Sequence, residues 1–188
     1  MRKRNMKILF IGNSHTYFND MPHIVSEDFM KQKGIYCETT MLSHGGWTLR
    51  QHAEEPQTRF NIIYGGYDYV VLQDKAHPFE GPVELIAAAN ALNAFIRSAG
   101  SVPVAYMTWT KKGDEASQAE MSAAYTKMAD EIGAVLAPVG EKWYSYMKEH
   151  PDAELYAEDG QHASMLGSSL AAQTIVDAIM CDRESGKR

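Results

Sequence analysis

The chain has 188 residues, enough for one domain with a sizeable core and short for two. Hydrophobic residues make up 45% and charged residues 22%, too apolar for disorder; 24 Asp+Glu against 18 Lys+Arg give a net charge of −6, no electrostatic footprint for nucleic acid. Apolar runs reach about 5 to 6 residues where a bilayer-spanning helix needs ~20, which excludes a chain built on such helices and gives no membrane partner.

The two cysteines, Cys37 and Cys181, make no disulfide framework and sit in no metal-ligand cluster, so both read as reduced, partly buried thiols. Met1-Arg2-Lys3-Arg4 resembles the basic start of a signal peptide. The apolar stretch behind it is only Ile8-Leu9-Phe10-Ile11 before Gly12, and no small-residue cleavage site follows. A first strand with a charged lead-in, and a cytoplasmic location, are expected.

In chain order, Lys7–Ile11 reads as a strand broken by Gly12. Asp20 then caps a helix with Pro22 in its first turn, running to Gly34. Ile35–Leu42 is a second, less apolar strand ended by Gly45-Gly46. Tyr69–Leu72 is an unbroken apolar run of the kind covered on both faces. Residues 83–98 place Leu85, Leu92 and Ile96 on one helical stripe, and Val102–Thr108 is the next strand. Met121, Tyr125, Met128 and Ile132 mark an amphipathic helix, and Ala134–Val139 a fifth strand. Residues 141–149 and 164–181 close the chain as helices, the last with Met165, Ala172, Val176 and Ile179 inward. No linker, repeat or low-complexity segment interrupts the pattern.

Strands alternating with helices predict a three-layer α/β sandwich on a five-stranded parallel sheet, in the flavodoxin-like order 2-1-3-4-5, as one domain over 1–188. Ligands bind such sheets outside the carboxyl ends of the strands, at the switch point beside strand 1. The loops after strands 1, 2 and 3 should therefore meet. They carry Gly12-Asn13-Ser14-His15-Thr16, His44-Gly45-Gly46-Trp47-Thr48 and Gln73-Asp74-Lys75-Ala76-His77.

Ser14 follows a strand and a glycine and precedes a helix, so its N–H and hydroxyl can face that crevice. A serine hydroxyl is a poor nucleophile unless a base takes its proton. His162, in Glu158-Asp159-Gly160-Gln161-His162-Ala163-Ser164, is the candidate base, with Asp159 three residues earlier to hold its Nδ1–H. Alone, Ser14 also reads as a turn residue and Asp159–His162 as a solvated loop. The combination is the specific signal.

It resembles the SGNH hydrolase superfamily, the GDSL-like esterases and lipases. The first block, a hydrophobic strand followed by Gly-Asp-Ser, appears as Ile8 to Ser14 with Asn13 in place of Asp. The second, Gly-x-Thr/Ser, matches Gly46-Trp47-Thr48. The last, Asp-x-x-His with a small residue and Ser, matches Asp159 to Ser164, and Gly167 continues it. The third block departs: where the family shows Gly-x-Asn-Asp, this chain has Leu72-Gln73-Asp74-Lys75, as in a branch with glutamine there. The resemblance implies ester hydrolysis with Ser14 as nucleophile, His162 as base and Asp159 orienting it. The oxyanion donors would be the N–H groups of Ser14 and Gly46 and the amide of Gln73, with no metal or organic cofactor. Gln73 could instead be a buried side chain pairing with a neighbouring loop's backbone.

Short acyl groups, acetyl above all, on a small-molecule or carbohydrate ester are the expected substrates, since no lid-like apolar insertion is present. Trp47, His15 and His77 are candidate substrate contacts. His15, His44 and His77 lie in the converging loops, but without HxxxH or HExxH spacing they read as solvated or substrate-contacting rather than metal-binding. Tyr17 could line the crevice; Phe18 and Trp109 read as core, and Glu54-Glu55 and Lys111-Lys112 as solvated turns. Two other functions compete. A flavodoxin-like FMN carrier could use the loop after strand 1 as a phosphate cradle, but leaves Asp159 and His162 unused. A non-catalytic SGNH-fold module binding a glycan or protein is compatible with the altered third block. An α/β-hydrolase is disfavoured, because Thr16 stands where its Gly-x-Ser-x-Gly elbow needs glycine.

Overall fold

The computed structural model describes residues 5–186; the basic lead-in Met1–Arg4 lies outside them. Five strands, β1 (Asn5–Gly12), β2 (Tyr36–Ser43), β3 (Tyr69–Leu72), β4 (Val102–Tyr106) and β5 (Val135–Ala137), form one parallel sheet in the order β2-β1-β3-β4-β5. The order is the one expected from the alternating pattern.

Successive strand residues point to opposite faces, and here both faces are covered. Met6, Ile8 and Phe10 of β1, with Tyr69, Val71, Val104 and Tyr106, pack against α2 (Met21–Lys33), α7 (Val139–Glu149) and α8 (Met165–Glu184). Leu9 and Ile11, with Val70, Leu72 and Ala105, pack against α3 (Leu49–Glu54), α5 (Pro82–Ser98) and α6 (Gln118–Ile132). Double coverage is why β3, and Ile8–Ile11 of β1, read as unbroken apolar runs. Each fully buried aliphatic side chain contributes about 1.5–3 kcal/mol.

The expected stripes on α5 and α6 are buried throughout. The helices α3 and α4 (Pro56–Tyr64) were not foreseen. Glu54 closes the first and Glu55 caps the second, its carboxylate accepting from the Gln57 N–H with Pro56 at the first helical position. Asp20 sits at the start of α2, but with φ 56° and no side-chain capping bond. Met165, expected inward, is 61% exposed because it lies in the first turn of α8, ahead of the packed face. Cys37 is buried, which pushes its thiol up to about 12, while Cys181 is exposed; both are free. No helix among the described residues is long and apolar enough to cross a membrane.

In register, Gly12 lies opposite Ser43, and Ile11 lies beside Leu72. The first three strands therefore end at one level. Their loops emerge together at the switch point, where β1 separates β2 from β3.

Candidate active site

The segment after β1 turns at once into a short helix, α1 (Ser14–Tyr17), with Asn13 as its cap. The Asn13 Oδ1 accepts from the His15 N–H at 3.1 Å. Ser14 thus stands at the first position of a helix, its side chain half-buried. A tetrad fixes this turn from below. Gln73 Oε1 accepts from the Asn13 N–H (2.9 Å) and the Thr16 hydroxyl (2.8 Å), and His52 Nε2 donates to the Gly12 carbonyl at 2.7 Å.

The second loop is a type II turn. The Trp47 N–H donates to the His44 carbonyl, with Gly46 at φ 73° in the position where that turn needs glycine. Thr48 then starts α3 through a capping box with Gln51. This explains the spacing of Gly46 and Thr48: one makes the turn and the other opens the helix. The Asp74 carboxylate, from the third loop, adds a bond from the Leu49 N–H at 2.7 Å.

Residues 157–164 form the fourth wall. Gly160 turns at φ 66°, and the Ala157 N–H donates to the His162 carbonyl. Trp109 Nε1 donates to the Gln161 carbonyl at 2.9 Å, and Ser164 caps α8 by accepting from the Gly167 N–H. Gly167 is obligatory there, since a Cβ would come 2.5 Å from the Trp143 ring. Asn19 clasps this wall to the first loop: its Nδ2 donates to the Ala163 carbonyl (2.8 Å) and the Ser168 hydroxyl (2.9 Å). Asn19 has φ 54°, a left-handed conformation that Asn tolerates better than most residues.

The walls bring together residues 148 positions apart. His162 Nε2 lies 2.7 Å from Ser14 Oγ, and His162 Nδ1 lies 2.5 Å from Asp159 Oδ2. The other carboxylate oxygen, Oδ1, accepts from the N–H groups of Gln161 and His162. Burial opposes charge on Asp159. Hydrogen bonds from the His162 ring and those two N–H groups outweigh it and hold the carboxyl at about 2. An ionised carboxylate on Nδ1 selects the Nδ1–H tautomer and leaves the Nε2 lone pair facing the hydroxyl. Neither the Ser14 nor the Gly46 N–H has a hydrogen-bond partner among the described residues.

Gln73 is not turned toward this crevice. It is fully buried, its oxygen is shared by Asn13 and Thr16, and its Nε2 donates to the Asp74 carbonyl. The oxyanion-donor role expected for Gln73 gives way to support of the Ser14 turn. His15 is also displaced from its expected role. It is 8% exposed, packed among Trp109, His77 and His162 with ring centroids 5.0–5.3 Å apart, behind the Ser14–His162 pair rather than in the crevice. His77 joins His15 and borders a 370 Å³ cavity lined by Phe79, Thr110, Lys111 and Asp114. His44 separates from both, stacking on Trp47 at 4.0 Å, and the Trp47 indole also approaches His52. Trp109 is fully buried on Trp143. Phe18, expected in the core, instead stacks on His162 at 4.3 Å and 15°, fixing the plane of the imidazole.

His15 and His77 also make stability depend on pH. Burial, then His77 and His162 nearby, hold His15 down to about 3; burial, then Lys111 and His162, hold His77 at about 4. Their folded pKa values lie below the unfolded value of about 6.5, so the unfolded chain takes up protons first. Stability is expected to fall as pH drops from 6.5 toward 4, by up to about 1.4 kcal/mol per pH unit for the deeply buried His15 and by less for His77, whose partial exposure screens it. Urea unfolding at pH 7, 6 and 5 measures this, with a shallower slope expected for His15→Gln; equal slopes contradict it.

No family model and no curated protein matches the sequence. Solved structures do. A chain from Slackia heliotrinireducens described as an SGNH hydrolase is 27% identical, covers 94% of this chain and 100% of its own, and superposes with a TM-score of 0.82. Two others share the fold at lower identity. An acetylxylan esterase from Geobacillus stearothermophilus is 16% identical, covering 94% and 95% of the two chains at TM-score 0.70. A carbohydrate esterase family 3 protein from Talaromyces cellulolyticus is 13% identical, covering 96% and 99% at TM-score 0.72. The sheet order, the near-complete overlap and the sequence blocks agree: the chain has the fold of the SGNH hydrolases and is similar to that superfamily over nearly its whole length.

Proposed function

We propose that this chain is a single-domain serine esterase that removes short acyl groups, acetyl above all, from polar alcohols such as carbohydrates. The observation that carries the reading is the unbroken hydrogen-bond chain Ser14–His162–Asp159.

Ser14 Oγ attacks the ester carbonyl carbon while its proton passes to His162 Nε2. The charge that develops on the carbonyl oxygen is met by the N–H groups of Ser14 and Gly46, two fixed donors without internal partners. Collapse breaks the bond to the alcohol oxygen, which takes the proton from Nε2. Water then gives a proton to Nε2, attacks the acyl-serine, and displaces Ser14 Oγ, which recovers that proton. Asp159 stays ionised throughout and stabilises the imidazolium, a role its depressed pKa supports.

Two observations support a small acyl group on a polar alcohol. Fold relatives are named as acetylxylan and carbohydrate esterases. The cavity beyond His77 sets Lys111, Asp114, Ser117 and Glu120, which can bond hydroxyl groups, beside Pro78, Phe79 and Met121. The test is hydrolysis of p-nitrophenyl acetate, butyrate and palmitate, and acetate release from acetylated xylo-oligosaccharides. Turnover should be highest for acetate and exceed a Ser14→Ala control. Absence of any Ser14-dependent release overturns the reading, and preference for palmitate overturns the substrate class.

A further inference from the structure

The two backbone donors of the proposed oxyanion site come from different loops, so their separation depends on whatever joins those loops. Asn13 does so. Its Nδ2 donates to the Trp47 carbonyl at 2.9 Å, one residue beyond Gly46, while its Oδ1 accepts from the His15 N–H, one residue beyond Ser14. Its own N–H is held by Gln73. The side chain is 2% exposed, so water competes little for either bond.

The two bonds have different requirements. Capping α1 uses only the oxygen, and aspartate caps as well as asparagine. The bond to Trp47 needs a donor, which a carboxylate lacks; a carboxylate oxygen 2.9 Å from a carbonyl oxygen would repel it. The cap therefore does not account for an amide here, and the second bond does. Besides it, the backbone bond from the His44 N–H to the Gly12 carbonyl ties the turn to this segment, at 3.2 Å and on the far side of the turn from Trp47.

We infer that Asn13 is a positioning residue that sets the distance between the Ser14 and Gly46 N–H groups through its side-chain bond to the Trp47 carbonyl. Asparagine in place of the Gly-Asp-Ser aspartate is then a functional exchange: the carboxamide holds the second loop from the first. The inference rests on the esterase reading of the site.

The test compares wild type, Asn13→Asp and Asn13→Ser between pH 5 and 8. At pH 8, Asn13→Asp is expected to lower kcat for p-nitrophenyl acetate about 100-fold, the scale of losing one oxyanion donor, with KM nearly unchanged. The ratio of this variant's kcat to that of wild type should rise as pH falls, because a protonated carboxyl regains a donor. Asn13→Ser keeps the cap but cannot reach Trp47, so its loss should be independent of pH. Wild-type rates for Asn13→Asp, or a loss with no pH dependence relative to wild type, overturn the inference. Crystal structures of wild type and Asn13→Asp at pH 8 supply an arm free of turnover. A Gly46 turn unmoved in the variant overturns the inference, whereas an inactive wild type beside a displaced turn sinks only the esterase reading.

Discussion

Ser14→Ala is expected to lower kcat for p-nitrophenyl acetate by about 10⁴- to 10⁶-fold, with little effect on folding. Among the described residues the hydroxyl bonds only His162 Nε2, and the residue is half-buried at a crevice, so its loss opens no core cavity and leaves the Asp159–His162 bond in place. The residual rate reflects the backbone donors and binding alone. His162→Ala should cost a similar factor, and the double variant little more, because nucleophile and base act as one unit. Losses under about tenfold, or additive losses, would show that Ser14 and His162 do not form the reacting pair.

Gly12→Ala is expected to damage both folding and turnover. A Cβ at this position would collide with Thr16 Oγ1 and come 2.5 Å from Gln73 Oε1 and 3.1 Å from Gln73 Cβ. Neither neighbour can give way. Thr16 and Gln73 are both fully buried, bonded to each other, and Gln73 also holds the Asn13 N–H. Overpacking costs about 1–3 kcal/mol and a broken buried hydrogen bond a further 1–3, so a destabilisation of about 3 kcal/mol is expected in urea unfolding, with turnover lost because Ser14 is carried on the same turn. A change below about 1 kcal/mol would mean the tetrad beneath Ser14 is not rigid.

The fold was legible where burial leaves no choice. Tyr69–Leu72 and the stripe Met121, Tyr125, Met128 and Ile132 lie where their apolar periods put them, because one is covered on two faces and the other on one. The helices over 49–64 escaped notice because Glu54-Glu55-Pro56 has the composition of a turn. The signals present were the Thr48/Gln51 capping box and proline one residue after a capping glutamate. At the site, Ser14, Asp159 and His162 could be named because each stands in a local pattern. The direction of Gln73 could not, since its partners Asn13 and Thr16 lie 60 and 57 residues away and either orientation satisfies the local strand. Asn19 and Phe18 were hidden for the same reason: the clasp to Ala163 and the stack on His162 exist only once the chain ends meet.

A serine made nucleophilic by its neighbours reacts covalently with an electrophile, and labelling reads that directly. After incubation with a fluorophosphonate at neutral pH, intact-mass and peptide analysis should find one adduct per chain, on Ser14. The adduct should be absent in Ser14→Ala and strongly slowed in His162→Ala. A chain that takes up no label, or takes it elsewhere with Ser14 unmodified, contradicts the account.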